Sequence, residues 1–174
     1  MNKIALSSLK QLKVRHAIRS DLNRMEWGGE LTHFRKIFHD AYFHMQTGVG
    51  LVWIAEYPVH GLIGQLMISL RSSRSDLSDG RMRAYLYGFR VRPEYRSQGV
   101  GSVMMQTVEE DLTQRGYGLI SLNVAQENLG AWKLYENLGY KVVGSDEGEW
   151  SYIDHLGNRI DVHEPAWRME KKLY

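Results

Sequence analysis

Residues Val91 to Gly101 read VRPEYRSQGVG and run straight into the helix-patterned SVMMQTVEEDLTQRG. An extended segment therefore ends in a glycine-bearing loop that opens a helix, and that spacing suits anion binding. Gly99 and Gly101 carry no side chain to hold a ligand off the backbone, and the free N–H groups and dipole of a helix start attract negative charge. A phosphate-bearing ligand is the natural occupant. The neighbouring residues exclude two other glycine loops. A Walker loop needs Lys and then Ser or Thr after its second glycine, where Ser102-Val103 stands, and a Rossmann fingerprint needs a third glycine where Met104 stands. The plain alternative is a strand-to-helix turn that binds nothing.

Carboxylates gather in two other places. Between Asp146 and Glu164 lie Asp146, Glu147, Glu149, Asp154, Asp161 and Glu164 against a single Arg159, with Trp150 and Tyr152 interleaved. Acids beside aromatic faces suit a cation, and a solvated acidic hairpin is the plain alternative. Glu26 and Glu30 flank Gly28-Gly29 as a second acidic group, whereas Glu56, at a strand end, reads as structural. No metal is expected. His39 and His44 cannot share a helix face, no H-E-x-x-H occurs, and His155 and His163 offer only a weak pairing with Asp154 and Asp161 across a hairpin.

A chain of 174 residues suits one domain, 1–174. With 22 basic against 20 acidic side chains, bulk charge draws it to neither nucleic acid nor membrane. The absence of Cys excludes disulfides, thiolate zinc sites and a cysteine nucleophile. The N-terminal MNKIALSSLKQLKVR lacks a sustained apolar run and no later stretch could span a bilayer, so a cytoplasmic protein is expected.

The elements that must position these residues follow from pattern. A strand over Leu12–Ile18 leads into a short helix capped by Ser20 or Asp21 and broken at Gly28-Gly29. An amphipathic helix runs from Thr32 to Gln46 on Phe34, Ile37, Phe38, Ala41, Tyr42 and Met45. Leu51–Tyr57 and Leu62–Leu70 form a hairpin, and Arg71–Arg83 is a polar loop without interleaved aromatics. A strand over Ala84–Val91 holds Gly88 in its interior, which signals a bulge or a close backbone approach. The helix after the loop shows Val100, Val103, Met104, Thr107, Val108 and Leu112 on one face and stops at Gly116. A strand over Leu119–Val124 then lies parallel to Ala84–Val91. Next come a helix over Ala131–Leu138, a strand over Tyr140–Val143, an extra hairpin of Trp150–Asp154 with Ile160–His163, and a last strand over Ala166–Leu173.

Two segments together, V-x-x-x-x-R-x-x-G-x-G from Val91 to Gly101 and NLGAWKLYENLGY from Asn128 to Tyr140, closely resemble the GNAT superfamily of N-acetyltransferases. The order of elements fits along essentially the whole chain, with the acidic hairpin at about 146–164 as an addition. The resemblance implies an α/β (α+β) fold, a mixed and mostly antiparallel central sheet with one splayed parallel pair and about four flanking helices. It also implies acetyl-CoA as co-substrate. The loop Arg96-Ser97-Gln98-Gly99-Val100-Gly101-Ser102 would hold the diphosphate through backbone N–H groups of Ser97 to Ser102. The pantetheine would lie along Phe89-Arg90-Val91, Asn128 would touch the cofactor, and Tyr135 would donate a proton to the departing thiolate.

Departures from the family pattern matter equally. Histone-type members carry a general-base Glu where Tyr85 stands here, and ribosomal-protein-type members carry one where Asn123 stands. An alkylammonium of pKa ~10.4 must still lose its proton at a cost of roughly 4–5 kcal/mol at pH 7. By elimination Glu149 is the first candidate carboxylate and Glu30 the second. The expected activity is acetylation of a small cationic amine. Modification of a protein N-terminus or lysine and a non-catalytic acyl-CoA-binding module are the alternatives, and a homodimer is left open.

Overall fold

The computed structural model describes residues 3–174, so Met1 and Asn2 of the N-terminal stretch read above lie outside it. β1 (Lys13–His16) leads to α1 (Asp21–Arg24) and α2 (Arg35–Gln46), then to β2 (Gly50–Tyr57), β3 (Gly61–Ser69) and β4 (Arg83–Val91). α3 (Val100–Gln114), β5 (Leu119–Ala125) and α4 (Leu129–Asn137) follow. β6 (Lys141–Asp146), β7 (Glu149–Ile153), β8 (Arg159–His163) and β9 (Ala166–Lys172) complete the order. One seven-stranded sheet runs β1-β2-β3-β4-β5-β9-β6, while β7 and β8 form a separate two-stranded sheet. Only the β4–β5 pair of the large sheet is parallel, as the helical crossover requires. Among the described residues no helix is long and apolar enough to cross a membrane.

Helices cover both faces of the central strands, which explains why β2 and β3 read as continuous apolar runs. Alternate residues of β2 point to opposite sides. Leu51, Trp53 and Ala55 join the core with Met104, Met105 and Val108 of α3, whereas Val52 and Ile54 pack with Phe38 and Ala41 of α2. Met105 is fully buried although the stripe read from sequence omitted it, while Val103 and Thr107 sit only half-buried at the rim. The helix expected from Thr32 begins as a 3-10 turn over Thr32–Phe34, because the reversal at Gly28 delivers the chain at an angle that α2 regularises only from Arg35. The strand expected over Tyr140–Val143 starts instead at Lys141. Tyr140 stays in the core and donates its hydroxyl to Glu109 at 2.9 Å.

Two irregularities in β4 shape everything that follows. Between the pairs Met67↔Tyr87 and Gln65↔Arg90, β4 carries one residue more than β3, a bulge at Gly88-Phe89. Gly88 has φ 62°, and a Cβ there would fall 2.0 Å from Met67 Cε, so a side chain would be strained and would displace Met67. The parallel pairing with β5 then ends at Leu86↔Leu122. Beyond that point the two strands diverge, and β5 continues alone with β9 as far as Ala125.

The loop before β4 is fixed by Asp79, whose Oδ1 accepts the backbone N–H groups of Arg81, Met82 and Arg83, each at 2.9 Å. These bonds, that of Arg83 foremost, hold its carboxyl down at about 2. A depressed acid contributes its stability above the unfolded pKa near 3.9 and loses it as pH falls towards 2. Asp79→Ala should therefore melt below the wild type at pH 6, with the gap narrowing as pH drops from about 4 to 2. Thermal unfolding followed across that range checks it, and a gap independent of pH would assign the loop to other contacts.

Candidate active site

Where β4 and β5 part, a cavity of about 1090 Å³ opens through the sheet. Its walls come from the bulged end of β4, the loop into α3, α4, the α1–α2 connection and the β7–β8 hairpin. The loop is shaped for an anion. Ser97 (φ 59°) and Gly99 (φ 87°) both adopt the left-handed conformation, and no side chain caps α3. Among the described residues, none of the backbone N–H groups from Ser97 to Ser102 reaches a protein acceptor, and the first one engaged is Val103 N–H on the Gly99 carbonyl at 3.1 Å. Successive free N–H groups at a helix start form a positive concavity.

The chain braces this loop from behind, which the sequence reading did not anticipate. Gln98 Oε1 accepts the Leu6 N–H at 3.0 Å, and its Nε2 donates to the Ile4 carbonyl at 2.8 Å. Tyr57 donates its hydroxyl to Gln11 at 2.8 Å, pinning the same segment to β2. A Cβ on Gly99 would meet Leu9 Cδ1 at 2.8 Å. Gln98 and Val100 thus present only backbone to the loop's concavity: the side chain of Gln98 is a clasp, and that of Val100 is buried in the core. Arg96 is exposed and folds back to donate Nε to the Val91 carbonyl at 2.8 Å.

Phe89, Arg90, Val91, Asn128 and Tyr135 all line the cavity. Asn128 caps α4, its Oδ1 accepting the Ala131 N–H at 3.1 Å. Tyr135 is packed against Phe89 and edge-on against Tyr140, with ring centroids 6.4 and 5.7 Å away. Among the described residues its hydroxyl bonds to no protein group, and burial pushes the phenol well above its ordinary range. Tyr85 and Tyr87 stack 6.1 Å apart on the opposite wall, and burial raises both, Tyr87 to about 12. Neither phenol can act as a base near neutrality. Asn123 is likewise committed, accepting Arg168 Nε at 2.7 Å while that guanidinium also holds Asp146 at 3.1 Å.

The acidic candidates separate. Glu30, Glu149, Glu164 and Asp146 line the cavity. Glu26 does not serve as the sequence suggested: its carboxylate accepts Arg35 Nε at 2.6 Å and the Thr32 hydroxyl at 2.9 Å, and the Arg35 bond above all holds its carboxyl below the usual range. Asp154 binds the N–H groups of Leu156 and Asn158 in the hairpin turn, and Asp161 pairs with Arg159. Strand register sets His163 opposite Glu149, Nδ1 to Oε1 2.9 Å, rather than beside Asp161. Glu56 ties Arg15 and Arg24 together, joining β1, α1 and β2. The hairpin roofs one end of the cavity, Tyr152 packing 5.0 Å from Phe34. Gly148 (φ 70°) closes its stem so tightly that a Cβ would strike the Glu164 carbonyl.

N-acetyltransferases recur among the proteins this chain resembles. Human N-acetyltransferase 8B is 27% identical over 113 residues, covering 64% of this chain and 45% of that protein. The [ribosomal protein bS18]-alanine N-acetyltransferase of Escherichia coli K12 is 35% identical over 57 residues, 33% of this chain and 38% of the relative. The matches thus span less than half the length of these relatives. Among solved structures, spermidine N-acetyltransferase from Vibrio cholerae in complex with CoA and spermine shares the fold with a TM-score of 0.67 at 19% identity, covering 94% of this chain and 96% of that one. Ard1 from Thermoplasma volcanium does so with a TM-score of 0.72 at 15% identity, over 94% and 99% of the two chains. The profile of the acetyltransferase (GNAT) family matches residues 16–140, well over half of the sequence, and the chain belongs to that family.

Proposed function

We propose that this chain transfers the acetyl group of acetyl-CoA to a small primary amine, directly, with both bound in the one cavity. The observation that carries the reading is the run of unpartnered N–H groups from Ser97 to Ser102, opening onto the same cavity as the unpaired edge of β4 and the Tyr135 hydroxyl. These residues fit the co-substrate. The loop and the α3 dipole accept a diphosphate. The edge of β4 at Phe89 and Val91, left without a neighbour on the β5 side, offers backbone polar groups to the pantetheine amides, although the Val91 carbonyl already accepts Arg96 Nε, and Asn128 flanks the same channel.

When bound, acetyl-CoA supplies the thioester carbonyl and leaves as the thiol. Tyr135, kept protonated by burial and lining this cavity, would supply the proton to the departing sulfur. Glu149 and Glu30 face the acceptor end and take the ammonium proton, directly or through water. The hairpin roof favours a small acceptor over a polypeptide, which needs a groove open at both ends. Thiol release from acetyl-CoA across a panel of amines and peptides tests this: release with small amines is expected, and release with peptides alone would overturn the small acceptor.

Glu149→Gln should raise KM for a cationic amine about tenfold, the loss of one charge-assisted contact, with Glu30→Gln the weaker variant. The defect should shrink at high pH, where the amine arrives neutral. pH–rate profiles unaltered in both variants would leave bulk water as the proton's destination.

A further inference from the structure

We infer that the acceptor amine also carries a carboxylate, and that the Arg90 side chain binds it. The inference rests on the transferase reading and names the class of acceptor.

Arg90 sits in β4 just past the bulge, and its position follows from strand alternation. Phe89 faces α3 and α4, its ring tip 3.4 Å from where a Gly101 Cβ would stand and its centroid 6.4 Å from that of Tyr135. Arg90 faces the other way, with its guanidinium carbon 4.6 Å from the centre of the Phe34 ring. It therefore looks into the acceptor end of the cavity, not towards the diphosphate loop.

The guanidinium has no anion. Its only protein acceptor is the Gly88 carbonyl, 3.5 Å from Nη1, and among the described residues no carboxylate lies within ion-pair distance. The neighbouring arginines are all accounted for: Arg74 is exposed and paired with Asp76, Arg168 is held by Asp146, and Arg96 is exposed to solvent. Arg90 alone among the cavity-lining arginines is half-buried and unpaired.

A desolvated cation without a partner is costly and is retained where something compensates it. Burial already weakens its hold on the proton, a cost that an incoming anion reverses. The planar fork of donors matches a carboxylate in two parallel hydrogen bonds. One guanidinium balances one negative charge, and Glu164, which lines the same cavity and whose charge already acts on Arg90, disfavours a dianion such as a phosphate. With Glu30 and Glu149 lining the same cavity, Glu149 held only by the exposed His163, the cavity presents complementary charges for an amino acid or a short amino carboxylate.

The test compares amino acids with their carboxamides in acetyl-CoA thiol release, using wild type, Arg90→Gln and Arg90→Lys. Wild type should favour the free acid. That preference should fall about 10- to 100-fold in Arg90→Gln and be intermediate in Arg90→Lys, which keeps the charge but not the fork. Measuring each acid and amide pair in every protein cancels the lower pKa of the amide's amine. Acetyl-CoA affinity by calorimetry should stay within about twofold for Arg90→Gln, since the side chain faces away from the loop. An equal acid-to-amide ratio in wild type and Arg90→Gln, or a collapse of acetyl-CoA affinity, would overturn the inference. Release only with amines lacking a carboxylate overturns it while sparing the transferase reading, whereas no release with any amine overturns both.

Discussion

Tyr135→Phe should lower kcat about 10^2- to 10^4-fold while changing acetyl-CoA affinity less than about threefold. The substitution removes one oxygen from a ring 6% exposed and held by Phe89 and Tyr140, so the wall keeps its shape. Only a donor is lost. Burial drives the phenol above its ordinary 10, which makes full proton transfer to a thiolate of pKa near 8.5 unfavourable as reckoned in water. The sulfur anion would form in the same apolar cavity and suffers the same penalty, so its demand for a proton rises too. Steady-state kcat and calorimetric affinity must be read together. Retained kcat would reduce Tyr135 to a side of the pocket.

Gly101→Asp should weaken acetyl-CoA binding by at least about 100-fold. A Cβ at this position meets Leu134 Cδ2 at 3.1 Å and Phe89 Cζ at 3.4 Å, contacts that a flexible leucine can relieve. The charge is the larger effect. A carboxylate beside the free N–H groups satisfies some of them internally and repels the diphosphate. At ~4 Å and an effective dielectric near 20, each unit-charge pair repels by about 4 kcal/mol, and solvent screening brings the net nearer 2–3. Gly101→Ala isolates the crowding and should cost under about tenfold. Calorimetry on the folded variants decides, because undiminished affinity in Gly101→Asp would remove the loop from the cofactor site.

The donor side of this molecule was legible in sequence because its signals are local. Gly99 and Gly101 at a helix start, Gly88 inside a strand and a helical crossover each dictate conformation within a few residues. The acceptor side was not, because it depends on partners distant in the chain. Glu26 looked available until Arg35 was placed beside it. The partner of His163 could not be read because no local signal gave the register across the Asp154–Asn158 turn, and that register sets it opposite Glu149. The bracing of the loop by Ile4 and Leu6 spans over ninety positions, from Leu6 to Gln98. Arg90 shows why even a strand can mislead. One extra residue at Gly88-Phe89 reverses the parity of inward and outward positions, so the face that Arg90 takes follows only once the bulge is located.

The roof over the acceptor end enters the chain between β6 and β9, and its stem is latched by the Glu164 N–H on the Gly148 carbonyl at 3.0 Å. Residues 149–163 pair only with one another as strands and contribute nothing to the ladder of the large sheet. The hairpin is thus mechanically separate from the large sheet: a change of length or sequence between Gly148 and Glu164 need not re-register a strand that carries the diphosphate loop.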